Sequence, residues 1–126
     1  MIRLALLATL ALSALPAQAF TASNEMLVQS TGEGTFTVPY KLDPAASAFW
    51  CAAGEYVTFA LGQRGDTLIY RTSPVPRRSG EAVSFSLSPS ASTGKTGLAV
   101  IGTDNGAITA GLAQGLCAKF NQFERN

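Results

Sequence analysis

Two cysteines, Cys51 and Cys117, stand 66 residues apart in a chain that has no histidine. A lone pair of this kind is either a staple or a reactive thiol with a bystander, and the two options lead to different folds. A reactive thiolate needs a base or an electropositive pocket beside it. Phe49, Trp50, Ala52 and Ala53, which surround Cys51, supply neither. The choice therefore rests on redox compartment, because disulfides persist where the surroundings are oxidising.

The opening MIRLALLATLALSALPAQAF addresses that question. Arg3 precedes an apolar run from Leu4 to Leu15. Pro16 follows, and then Ala17-Gln18-Ala19, a small-residue cleavage site. Charge, apolar core and A-x-A site in that order predict a secretory signal peptide over residues 1–19, cleaved after Ala19. The apolar run falls short of the roughly 20 residues that a membrane-crossing helix needs. No arginine pair precedes it and no cysteine follows the cleavage point, so neither the twin-arginine route nor a lipid anchor is expected. The expected product is periplasmic or secreted, with no membrane anchor after signal removal. In that setting Cys51 and Cys117 pair. On the chain-entropy argument a closed loop of this length is worth about 4 kcal/mol.

Residues 20–126 are then one disulfide-stapled domain. Arg3 leaves with the leader, so eight Lys and Arg face eight Asp and Glu, and the net charge is zero. A neutral domain whose basic residues are not interleaved with aromatics is not expected to bind nucleic acid.

Along the domain, FTASN (20–24) reads as a lead-in, and Glu25–Ser30 has modest strand character. In TFTVPYKL (35–42), Phe36, Val38, Tyr40 and Leu42 alternate with polar residues or proline, the period-2 pattern of a half-buried strand. Pro39 places it at an edge or bulge, and Thr31-Gly32-Glu33-Gly34 predicts a hairpin turn before it. A helix is predicted from Asp43 as N-cap, with Pro44 in its first turn, to Leu61, and Gly62 stops it. Ala46, Phe49, Trp50, Ala53, Val57 and Ala60 form one apolar stripe. Gly54 reads as a weak point, about 1 kcal/mol worse than alanine. Cys51 projects away from that stripe, so a partner at Cys117 predicts that the C-terminal segment covers the helix's second face. Thr67–Thr72 and Ala82–Ser88 predict two more strands, and the apolar run Gly97–Gly102 a central one. Ile108, Leu112, Leu116 and Phe120 recur every four residues, which predicts a C-terminal helix. The fold expected is α+β: a four- to five-stranded antiparallel sheet packed by one central helix (about 44–61) and a C-terminal helical segment, with one disulfide.

The chemistry is bounded mainly by what the composition lacks. Without histidine there is no Ser-His or Cys-His nucleophile pair and no imidazole metal site, so neither metal nor cofactor is expected. Ser92-Thr93-Gly94-Lys95-Thr96 resembles the end of a phosphate loop, but Pro89 stands where the first glycine belongs. Glu55, Asp66 and Asp104 are the internal carboxylates. They keep open an alternative reading, a small histidine-independent hydrolase or transferase. Trp50 and Tyr56 read as core aromatics. The loop SPVPRRSG (73–80) is the stretch with most binding chemistry. Arg71, Arg77 and Arg78 fall within eight residues, and guanidiniums so placed can grip a carboxylate or phosphate. Asp66 and Glu81, at the flanks, could instead neutralise them.

The leader, FWCAAGEY, SPVPRR and the late Gly115-Leu116-Cys117 together resemble small uncharacterised exported proteins of Gram-negative bacteria, and the resemblance implies no activity. The function expected is a non-catalytic binding module of the cell envelope. Its partner would be another envelope protein, a peptide or a surface polymer, met through Arg71, Arg77 and Arg78. Mass spectrometry of the periplasmic fraction should find a chain beginning at Phe20. An intact Met1 chain recovered from cytosol or inner membrane would contradict export.

Overall fold

The structure, a computed structural model, describes residues 19–41 and 45–117. Six short strands, β1 (Ala19–Thr21), β2 (Leu27–Gly32), β3 (Thr35–Val38), β4 (Leu68–Arg71), β5 (Val83–Ser86) and β6 (Ala107–Thr109), form one antiparallel sheet. Their order across the sheet is β1-β2-β3-β5-β4-β6. Helix α1 (Ala46–Glu55) runs on into a π-helical turn at Tyr56–Ala60, and α2 (Ala110–Gly115) follows β6 directly. The fold is α+β as expected, with one strand more than the upper expectation. Residues 1–18, most of the segment read as a signal peptide, lie outside the described residues, as do Asp43, Pro44 and Phe120.

The alternating segments behave as their period demands. Phe36 and Val38 of β3 are buried and pair with Phe85 and Val83 of β5, which are buried too. β3 ends at Val38, because Pro39 has no N–H to continue the ladder. The β2–β3 turn carries a bulge between Ser30 and Gly32, and Gly34 turns the chain at φ 69°.

Three segments differ from expectation. Phe20 belongs to edge strand β1, paired with Val28. The apolar run Gly97–Gly102 is not a strand but a loop: Val100 and Ile101 are exposed, and Gly97 and Gly102 bend it at φ 79° and 94°. The place beside β4 is taken by β6, where Ile108 pairs with Ile69. Ile108 therefore precedes the C-terminal helix. α2 starts after Thr109, whose Oγ1 accepts from Leu112 N at 3.2 Å. Its inward residues are Ala110 and Ala113, while Leu112 is 65% exposed.

Helix α1 is buried on every side from Ala48 to Val57. Against the sheet it sets Trp50 and Tyr56 into an aromatic cluster, with Phe36–Tyr56 centroids at 4.7 Å and Trp50–Phe85 at 4.8 Å. Such pairs add about 0.5–1.5 kcal/mol each beyond the area they bury. On its other side lies α2, tied by the Cys51–Cys117 disulfide with Cα atoms 5.0 Å apart. Covering of the second face was expected. The part played by Gly54 was not. A Cβ there would stand 2.7 Å from both Ala113 Cβ and Gln114 N, so the residue read as a weak point is where the two helices touch. Gln114 reinforces the contact, its Nε2 donating to Gly54 O at 3.3 Å and to Thr58 Oγ1. Ala45 occupies the N-cap position of α1 and makes no side-chain cap bond. Gly62, at φ 66°, ends the helical segment as expected.

Intrinsic propensity favours Gly54→Ala by about 1 kcal/mol. The packing predicts the opposite sign, because overfilling a tight contact costs about 1–3 kcal/mol. Urea unfolding of the oxidised variant should show a lower midpoint, and an equal or higher one would contradict the close helix contact.

Candidate functional site

The end of β4 and the loop from it to β5 carry the three arginines singled out above, and the fold gives each a different role. Arg71, the last residue of β4, is 3% exposed on the inner face of the sheet. Its Nε donates to Ser73 O at 3.1 Å, Nη1 to Thr96 O at 3.2 Å and Nη2 to Pro74 O at 2.9 Å. Burial, and then the positive charge of Arg77, lower its pKa from the ordinary arginine value. With each guanidinium nitrogen spent on a backbone carbonyl, Arg71 anchors the loop and is not displayed to a partner. Of the three arginines expected together, Arg71 is therefore set apart from Arg77 and Arg78 by its burial.

Thr96 explains why the anchor holds. Its carbonyl accepts from Arg71 and also from Trp50 Nε1 at 3.0 Å, deep in the core. Its N–H and hydroxyl donate to the Asp104 carboxylate at 3.0 and 2.9 Å, and Gly106 N donates to the same carboxylate at 2.9 Å. Gly97, at φ 79°, lets the guanidinium come close: a Cβ there would be 2.6 Å from Arg71 Nη1. The segment resembling a phosphate loop is therefore a loop closure. Ser92 Oγ accepts from Gly94 N and donates to Asn105 O, both at 3.0 Å.

Arg77 is half-buried and lies over two rings, with Cζ 5.4 Å from the Tyr40 centroid and 5.0 Å from that of Phe49. Its Nη1 donates to Arg78 O at 3.2 Å and Glu81 O at 3.1 Å. No hydrogen bond from its Nε or Nη2 occurs among the described residues. Arg78 is exposed, and its backbone N donates to Glu81 Oε2 at 3.2 Å. Among the described residues neither arginine forms an ion pair; the pairs present are Lys41–Glu25 and Arg64–Asp66. Asp66 thus neutralises Arg64 rather than this loop. A cleft of about 220 Å³ opens beside Arg77, with Ala46, Phe49, Val75, Pro76 and Val83 in its walls. A second, of about 440 Å³, lies across the loop against Arg78 and Glu81. Tyr40 and Phe49 carried no sequence signal as site residues, since what joins them to Arg77 is contact across 37 and 28 positions of chain.

The carboxylates are committed elsewhere. Glu55 is buried and accepts from Ser23 N at 2.7 Å and from the Ser23 hydroxyl. Asp104 holds Thr96, and Asp66 is exposed beside Arg64. No two of them share a hydrogen-bonding partner among the described residues. Cys51, Glu55 and Cys117 have metal-ligand spacing, but the two sulfurs are bonded to each other and Glu55 is held by Ser23. Trp50 and Tyr56 are core residues, as expected.

Comparison with protein-family models, with curated proteins and with solved structures finds no match to this chain.

Burial alone would raise the pKa of Asp104. The hydrogen bonds from Thr96 N, Gly106 N and Thr96 Oγ1, with the charge of Lys95, outweigh it and leave the pKa below the ordinary value. A carboxyl with a depressed folded pKa contributes stability that is complete above the unfolded value of about 3.9 and is lost as pH falls through the folded one. Urea midpoints should therefore drop below about pH 4, and Asp104→Asn should flatten part of that drop while lowering the midpoint at neutral pH. Parallel profiles for the two proteins would contradict this role for Asp104.

Proposed function

We propose that the protein is an exported module, periplasmic or secreted, that binds an anionic partner of the cell envelope and catalyses no reaction. One observation carries the reading. Arg77 is fixed by two rings and two carbonyls, yet keeps two guanidinium nitrogens without a hydrogen-bond partner among the described residues, with Arg78 exposed next to it. A cation held in place without a carboxylate loses little side-chain freedom when it meets one. The pattern of residues 1–19 supports export, and the Cys51–Cys117 bond fits an oxidising compartment. No helix among the described residues is long and apolar enough to cross a membrane. The binding reading is favoured over hydrolysis because Glu55 and Asp104 are both taken up by structural hydrogen bonds. The partner is an envelope protein, a peptide or a surface polymer that carries carboxylate or phosphate.

Immobilised envelope extract should retain the oxidised protein at about 0.1 M salt and release it near 1 M, where screening shortens to about 3 Å. Replacing Arg77 and Arg78 together by alanine should weaken retention at least about tenfold, the loss expected when charge-assisted hydrogen bonds go. The melting temperature should fall modestly without loss of folding, since Arg77 gives up its two ring contacts and two backbone hydrogen bonds, together about 1–3 kcal/mol. Unchanged retention, or a variant that unfolds, would place the contact elsewhere.

A further inference from the structure

We infer that the cleft beside Arg77 takes the C-terminal carboxylate of a peptide whose last residue is small and aliphatic. The inference rests on the reading that the Arg77 loop is the contact surface, and it names the ligand. The backbone bonds of Arg77 use Nη1, which leaves Nε and Nη2, the two nitrogens along one edge of the guanidinium, without a hydrogen bond among the described residues. Two parallel N–H donors match the two oxygens of a carboxylate. Tyr40 and Phe49 hold the guanidinium plane, so that edge is already oriented. Arg71 also lines the cleft, 3% exposed and with each guanidinium nitrogen bonded to a backbone carbonyl, so it adds positive charge while presenting little to the ligand's oxygens. The site thus favours a full negative charge over a neutral amide.

The rest of the lining selects what is attached to that charge. The exposed apolar lining is Val75 and Pro76, and such a wall gives no return for the hydroxyls of a sugar acid or the third oxygen of a phosphate. The volume of about 220 Å³ is below the roughly 300–1,000 Å³ of pockets that enclose whole small molecules. A cleft of that size takes a terminal residue. A chain terminus places an aliphatic side chain one carbon from the carboxylate. An aspartate or glutamate side chain offers only methylenes.

The test is NMR titration of the oxidised protein with acetyl-Gly-Val as the free acid, as its C-terminal amide, and with poly-glutamate. The acid should shift the Arg77 Nε–H and the Val75 methyl signals saturably, and the amide should bind at least about tenfold more weakly. Arg77→Gln should abolish the acid's effect while leaving the remaining spectrum in place. Arg77→Lys, which keeps charge but not the paired donors, should restore little of it. Equal binding of acid and amide, or no movement of Arg77, would overturn the inference. If poly-glutamate binds through Arg77 and Arg78 while the acid does not, the anion-binding loop stands and the terminal-carboxylate assignment fails. If neither binds, both fail.

Discussion

The architecture depends on α1 being enclosed from two sides. A surface helix in a small domain keeps one polar face for water. This one is buried from Ala48 to Val57, because the sheet takes one side and α2 the other. Two features hold α2 there: the absence of a side chain at Gly54, which allows contact with Ala113, and the disulfide, which limits how far Cys117 can leave Cys51. The small residues Ala52, Ala53 and Ala113 follow from the same demand for close approach. Dispersion and desolvation then act over both surfaces of one short helix.

The candidate site inherits its order from that core. Trp50 Nε1 fixes the carbonyl of Thr96, Asp104 fixes the amide and hydroxyl of the same residue, and Arg71 bonds to the carbonyl so positioned. Arg71 in turn holds Ser73 and Pro74, from which the loop carrying Arg77 and Arg78 springs. Neighbouring arginines of identical chemistry therefore have different roles. Buried among carbonyls, a guanidinium is a structural clamp; over two rings it is an oriented cation; in water it is a charge with little net worth until a partner arrives.

How much of this could be read from the residues depended on how local the cause was. β3 and β5 were legible because alternation along one strand reports directly on which side is buried. The disulfide was legible because two cysteines allow one pairing. The Gly97–Gly102 run misled because an apolar stretch needs a free neighbouring strand as well as composition, and β6 already occupied the edge of β4. Gly54 misled because propensity is a property of a lone helix, whereas its role is set by a helix more than fifty residues away. Arg71 was grouped with Arg77 and Arg78 by proximity in sequence. The parity of β4 turns it inward, where the carbonyls of Ser73, Pro74 and, 25 positions on, Thr96 each take one guanidinium nitrogen. Tyr40 was expected inside and instead flanks Arg77, because the strand that would have buried it stops at Val38.

The claim that α1 is held from two sides, with the disulfide securing the second, is tested most directly by native-state amide hydrogen exchange on the oxidised and the reduced protein. Reduction should accelerate exchange in α2 and at Cys51–Val57 of the α1 segment well beyond any change in β3 or β5, where the ladder and the aromatic cluster remain. Unchanged exchange in α2 after reduction, or opening of β3 and β5 before it, would contradict the account.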